Sequence, residues 1–184
     1  MDTKTRDILM AISLENSQYS LKQLYELYSG QVYRYVGLYV HDMDAVDEIV
    51  SDVFMALWNN RRALQQITNF KGYIYRVAKF KSVDYIRKDK SRMTLWNDDM
   101  LELFAGTDTS PEDDCISDET VRELNSAIEA LPPKCRMAFK LVREDKMKYK
   151  DAAELMDVSV KTLESHIRIA MKRIFSVLGH SKAE

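Results

Sequence analysis

Between residues 70 and 92 the chain reads FKGYIYRVAKFKSVDYIRKDKSR, with eight cations (Lys71, Arg76, Lys79, Lys81, Arg87, Lys88, Lys90, Arg92) against two acids, Asp84 and Asp89. Five rings lie among them: Phe70, Tyr73, Tyr75, Phe80 and Tyr85. Flat rings beside cations suit a nucleic-acid strand whose bases are unstacked and whose phosphates are close. At helical spacing, Ile74, Val77, Ala78 and Tyr85 fall on one side and can bury. Tyr73, Arg76, Phe80, Val83 and Arg87 run along another side at steps of three and four. The plainer reading of the same pattern is a helix whose basic stems lie along apolar surface.

A second set stands near the C-terminus. Lys161, Ser165, Arg168 and Lys172 recur at steps of four, three and four, with Thr162 nearby. Val160, Leu163, Ile167, Ala170, Ile174 and Leu178 form the opposite, apolar stripe, and His166 borders it. An apolar side that anchors a helix, with short polar and long cationic groups opposite, is the division a recognition helix needs in a duplex groove. Covalent chemistry finds no support. His41, His166 and His180 are scattered, Cys115 and Cys135 lie in no metal-ligand spacing, and no glycine loop for a nucleotide is present. No cofactor or metal is expected.

Residues 20–40 repeat Leu21, Leu24, Tyr25, Tyr28, Val32 and Val36 at helical steps, with Gly30 and Gly37 weakening the regularity. Residues 41–44 read as a turn, with Asp44 as N-cap of a helix over 45–60. That helix turns Val46, Ile49, Val50, Val53, Phe54, Leu57 and Trp58 to one side. Asp47, Glu48, Ser51, Asp52, Met55 and Asn59 lie off it, as a solvated surface or as a docking face for a partner helix. Residues 61–69, RRALQQITN, form a polar segment leading into the basic helix, with Gln65, Thr68 and Asn69 able to read base edges. From 93 to 118 the pattern dissolves into an acidic linker.

A C-terminal block follows. Helices are expected over 119–131 and 135–143, the first ended by Pro132 and Pro133, then a charged turn and a short helix over 149–156. A turn at Asp157 and Val158 leads to Ser159 as N-cap of a long helix over 160–178. Short helix, tight turn and capped long helix make a helix-turn-helix. The fold expected is all-α, with helical domains at 1–92 and 119–184 joined by the linker at 93–118.

Composition fits a folded, helix-rich chain: 46% hydrophobic residues, five glycines and three prolines in 184 residues. The formal net charge of -2 hides its distribution. Residues 1–90 hold 13 basic and 11 acidic residues, 91–121 one basic and nine acidic, and 122–184 13 basic and nine acidic. Two mildly basic blocks therefore flank one strongly acidic connector. The first twenty residues lack the apolar core of a signal peptide, no run reaches the ~20 apolar residues that span a bilayer, and free thiols suit a reduced compartment. A cytoplasmic protein is expected.

A helix-turn-helix alone leaves a stand-alone transcriptional regulator as an alternative, or an adaptor with no promoter role. The combination of motifs narrows this. LYELYSGQVYRYV, DAVDEIVSDVFMALWNN, NFKGYIYRVAKFKSVDYIRK and ALPPKCRMAFKLVREDKMKYKDAAELMDVSVKTLESHIRIAMKRI, in that order, resemble an extracytoplasmic-function (ECF) sigma factor of bacterial RNA polymerase over nearly the whole chain.

The resemblance implies a non-enzymatic promoter-specificity factor that brings core RNA polymerase to promoter DNA. It implies that Asp47, Glu48, Ser51, Asp52, Met55 and Asn59 meet the clamp helices of the polymerase largest subunit, with Phe54 and Trp58 as core. It implies that Gln65, Thr68, Asn69, Phe70, Tyr73, Arg76, Lys79, Phe80, Arg87 and Lys88 engage the downstream promoter element as it melts. The C-terminal domain then sits on the flap of the second-largest subunit. There Lys161, Thr162, Ser165, His166, Arg168, Lys172 and Arg173 read the upstream element. An anti-sigma factor is a further implied partner. Phe80 stands where the family commonly has Asn, and Tyr73 where it commonly has Trp.

Overall fold

The computed structural model describes residues 1–88 and 119–180, and all regular structure among them is helical. The expected linker at 93–118 lies outside the described residues. The chain divides into two compact units, 1–94 and 95–184.

The first unit opens with a helix absent from the expectations, α1 (Thr3–Glu15). Asp2 caps it by accepting the Thr5 amide at 2.8 Å, and Asn16 ends it in the left-handed conformation at φ 51°. Ile8, Leu9 and Ile12 bury. Helix α2 (Gln18–Val36), capped by Ser17, runs unbroken through Gly30 and buries Leu24, Val32, Tyr35 and Val36. Helix α3 (Met43–Asn59) follows. Its cap is Asp42, not the expected Asp44: Asp42 is extended and its carboxylate accepts the Asp44 amide at 3.1 Å. Asp44 instead lies in the first turn, where its charge complements the exposed N–H groups of the helix end.

A 3-10 turn (Arg61–Gln66) pins Leu64 in the core and leads to α4 (Phe70–Lys88). The buried face of α4 differs from the expected one. It is Phe70, Ile74, Ala78, Ser82 and Ile86 at steps of four, plus Tyr75, while Val77 and Tyr85 are only half-buried. Tyr75 decides the register: its ring packs 4.7 Å from that of Tyr35 on α2. Burying a side chain of this size is worth ~1.5–3 kcal/mol, so the face that finds a partner wins over one merely apolar in sequence.

In the second unit come α5 (Glu119–Glu129), α6 (Pro133–Phe139), a π-turn (Lys140–Glu144), α7 (Tyr149–Leu155) and α8 (Val160–His180). Pro133 begins α6 rather than merely ending α5, because its missing N–H costs nothing in a first turn. The π-turn closes with the Asp145 amide on the Lys140 carbonyl and the Met147 amide on Leu141, with Lys146 left-handed at φ 55°. Ala127, Ile128, Leu131, Cys135, Ala170 and Ile174 share one core with Leu124 and Phe139. Glu129 ties α5 onward through ion pairs to Arg136 and, at 2.8 Å, to Lys140. Burial works against its charge, but these partners outweigh it and hold the carboxyl below its ordinary pKa.

Candidate nucleic-acid interface

Helix α3 is divided as its sequence expects. Ala45, Val46, Ile49, Val50, Val53, Phe54 and Leu57 bury. Asp47, Glu48, Ser51, Asp52, Met55 and Asn59 are all exposed, Met55 at 55%. Ser51, Met55 and Asn59 follow one another at steps of four, so the exposed ridge carries two kinds of chemistry: carboxylates at its start and a thioether at its middle. The rings take no part in that ridge. Phe54 packs 4.8 Å from Tyr25, and Trp58 is half-buried with the Arg61 guanidinium 4.7 Å above it.

An open groove of about 370 Å³ separates α3 from α4, lined by Glu48, Ile49, Asp52, Lys81, Asp84, Tyr85 and Lys88. Lys81 bridges it to Asp52 at 2.9 Å, and Lys88 pairs with Asp84 on its own helix at 2.9 Å. The Asp84 hydrogen bond and charge raise the Lys88 pKa, so that cation persists at any physiological pH.

On α4 the sequence-expected contacts separate into three groups. Phe80, 69% exposed, is the most accessible ring of the helix, with Arg76 and Arg87 exposed along the same stripe and Tyr73 and Lys79 half-buried beside it. Asn69 caps the helix, its side-chain oxygen accepting the Gly72 amide at 3.1 Å. A Cβ on residue 72 would come within 2.9 Å of the Asn69 Nδ2, so glycine there is what leaves room for this cap. Phe70 is a correction: it is 1% exposed and stacks edge-on against Tyr28 at 5.1 Å, so burial withdraws it from any strand contact. Ahead of the helix, Gln65 and Thr68 are exposed, and the Gln65 amide donates to the Arg62 carbonyl at 3.4 Å.

In the second unit the helix-turn-helix forms as expected. Asp157 makes the turn at φ 54°, and Ser159 caps α8 by accepting the Thr162 amide at 3.0 Å. Leu163, Ile167, Ala170 and Ile174 bury; Val160, expected in that stripe, is 40% exposed because it sits at the open first turn. Lys161, Thr162, Arg168, Lys172 and Arg173 are exposed, with Ser165 half-buried and its hydroxyl donating to the Lys161 carbonyl at 3.1 Å.

His166 is half-buried, its Nδ1 3.8 Å from the buried Cys135 thiol. Burial, then the charge of Lys134, lowers its pKa, which keeps the ring neutral near pH 7 and makes it a poor phosphate cation. Burial likewise raises the Cys135 pKa, against a smaller opposing pull from Arg173.

Sequence reading missed α1 and with it a set of polar contacts. Thr5 joins Asp2 to the Tyr28 hydroxyl (2.8 and 3.1 Å), Ser13 donates to the Arg62 carbonyl at 3.1 Å, and Arg61 Nε donates to Asn16 Oδ1 at 2.6 Å. The available signals were Asp2 ahead of an apolar Ile8, Leu9, Ile12 spacing, and Asn16 as a stop.

The family models for Sigma-70 region 2 and Sigma-70 region 4 match residues 24–92 and 121–174. The ECF RNA polymerase sigma factor SigM of Bacillus subtilis is 24% identical over 155 residues, covering 84% of this chain and 93% of SigM. The ECF RNA polymerase sigma-E factor of Escherichia coli (strain K12) is 25% identical, covering 92% of each chain. Among solved structures, the sigma factor RpoE of Bartonella quintana, in complex with the anti-sigma factor NepR, superposes at TM-score 0.64 with 18% identity, covering 86% of this chain and 96% of that one. CnrH, in complex with the cytosolic domain of CnrY, superposes at 0.58 with 18% identity, covering 96% and 98%.

Proposed function

Because the chain belongs to the sigma-70 family, as an RNA polymerase sigma factor of the ECF type, we propose a division of labour among its surfaces as it directs core polymerase to promoters. The ridge of Asp47, Glu48, Ser51, Asp52, Met55 and Asn59 docks on the clamp helices of the largest subunit. Gln65, Thr68, Asn69, Tyr73, Arg76, Lys79, Phe80, Arg87 and Lys88 hold the separated strand of the downstream element. Lys161, Thr162, Ser165, Arg168, Lys172 and Arg173 read the upstream element as duplex, while the unit carrying them rests on the flap of the second-largest subunit.

The protein acts in the cytoplasm by binding alone and catalyses no reaction. Opening then comes from differential affinity. Extracting a base costs roughly a few kcal/mol, and stacking it on a ring returns ~1–3 kcal/mol. One or two captured bases bring the balance near zero once polymerase holds the rest.

The observation that carries this reading is the exposure of Phe80 amid the α4 cations, on the unit that also presents the acidic α3 ridge. Phe80 supplies the platform on which a base stacks in place of the polar contact the family commonly has there. Domain limits of 1–92 and 119–184 fit this reading, with 93–118 as an acidic connector. An anti-sigma factor is the further partner we propose, since the similar RpoE structure holds one.

The test is reconstitution of the full chain with core RNA polymerase on templates randomised at both promoter elements. Run-off transcripts enriched for paired upstream and downstream motifs are expected. Transcripts from no site, or equal and specific duplex binding without polymerase, would leave the stand-alone regulator as the better account.

A further inference from the structure

Helix α1 precedes the span matched by the region 2 model, which starts at residue 24, yet it holds both ends of the segment that leads into α4. At the far end Tyr28 links it to Phe70: the Thr5 hydroxyl lies 3.1 Å from the Tyr28 hydroxyl, and the Tyr28 ring packs on Phe70. At the near end the contacts are denser. Arg61 donates to Asn16 Oδ1 at 2.6 Å and to the Trp58 carbonyl at 3.0 Å, with its guanidinium over the Trp58 ring. The Arg62 carbonyl accepts two donors, the Ser13 hydroxyl at 3.1 Å and the Gln65 amide at 3.4 Å. A carbonyl oxygen offers two lone pairs, so both bonds can stand together. Ser13 is buried and Gln65 exposed. The buried donor therefore fixes the acceptor that orients the exposed amide.

We propose that the last turn of α1 and its cap are a positioning device for promoter reading: Ser13 holds the Arg62 carbonyl that Gln65 shares, Asn16 holds the adjoining Arg61, and together they aim Gln65 at the separated strand. Neither residue touches DNA. Asn16 is suited to the task for a backbone reason as well, since it must adopt φ 51° to end the helix while its side chain reaches Arg61. Asparagine and aspartate tolerate that conformation better than other side chains that offer an acceptor. The inference rests on the reading that the 65–69 segment engages the downstream element.

The experiment uses the full chain with core RNA polymerase and a template library randomised at both elements, comparing wild type with Ser13→Ala, Asn16→Gly and Asn16→Asp. Glycine keeps the left-handed turn and removes the side-chain acceptor; aspartate keeps the acceptor. Three quantities are read for each: downstream base preference, upstream base preference, and affinity for core at a temperature well below the melting point. Losing one such hydrogen bond changes an equilibrium by roughly two- to tenfold. Ser13→Ala and Asn16→Gly should flatten the preference at one or two downstream positions by about that factor. Upstream preference and core affinity should stay unchanged, and Asn16→Asp should behave as wild type. Unchanged downstream preference in both variants overturns the inference, as does a parallel loss of all three quantities, which marks α1 as mere scaffolding. A wild-type holoenzyme that enriches no downstream motif overturns the assignment of the 65–69 segment itself, and the inference with it.

Discussion

Two phenylalanines ten residues apart on α4 make the sharpest contrast available to mutation. Phe70 is sealed against Tyr28, whereas Phe80 stands 69% exposed among cations. Phe70→Ala should cost ~3–5 kcal/mol of stability, enough to unfold much of a small unit. Phe80→Ala should change thermal stability by under ~0.5 kcal/mol while weakening capture of the separated strand by ~1–3 kcal/mol, read as loss of open complex by permanganate footprinting. Loss of stability without loss of opening would remove Phe80 from the strand face. Sequence alone could not separate the two rings, because both sit beside lysines and burial depends on what α2 offers across the interface. His166 gives a second residue-level prediction. Burial and Lys134 keep its folded pKa below the ordinary 6.5, so the unfolded chain takes up the proton first as pH falls. Well above pH 6.5 both states are neutral and this residue contributes no slope. Below it, stability of the second unit should decline until the folded ring also titrates, and His166→Gln should flatten that decline in denaturant melts at pH 7.5 and 5.5.

Capping and pairing decide how the elements present these side chains. Gly72→Ala sets two comparable terms against each other. Alanine gains ~1 kcal/mol of helix propensity, and displacement of the Asn69 cap costs ~0.5–2 kcal/mol. Stability should therefore move by less than about 1 kcal/mol, while promoter opening falls because Asn69 is pushed from its place. An unchanged opening rate would assign Asn69 to capping alone. The Asp52–Lys81 bridge between α3 and α4 is a surface pair, with the carboxylate 56% exposed, so it is worth only ~0–1 kcal/mol. Asp52→Asn should leave the melting temperature nearly unchanged and reduce affinity for core polymerase in a salt-dependent way, measured by competition binding. Much at this scale was readable in advance. The apolar face of α3 follows from strong periodicity and the start of α8 from the single good cap Ser159, whereas two aspartates two residues apart leave the α3 cap ambiguous between Asp42 and Asp44. Helix α1 was not, because Met10 and Leu14 remain exposed beside the buried Ile8, Leu9 and Ile12 and blur its stripe. The register of α4 is hidden in the sequence for a related reason: apolar and basic residues occur on every side, and only the ring of Tyr35 singles out Tyr75.

For the whole molecule, charge matters by position more than by sum. A chain of formal charge -2 still presents cations on α4 and on α8, in separate units, with nine acids concentrated between residues 98 and 119. Neutralising Glu112, Asp113 and Asp114 together should tighten non-specific binding of the isolated chain to DNA several-fold at low salt. The difference should vanish toward 1 M salt, where the screening length is ~3 Å; no difference at low salt would reduce the acids to a solubilising spacer. The all-helical fold of the described residues and the exposed cations of α4 and α8 were legible because each rests on local pattern. The groove between α3 and α4 was not, since it exists only where two helices meet. The shielded sulfur of Cys135 has a use that follows from where it lies. In a Cys115→Ser background, a thiol-reactive dye can modify the chain only during transient openings of the core that α5, α6 and α8 share. The labelling rate then clocks those openings, and any ligand that clasps this unit will register as a slower clock.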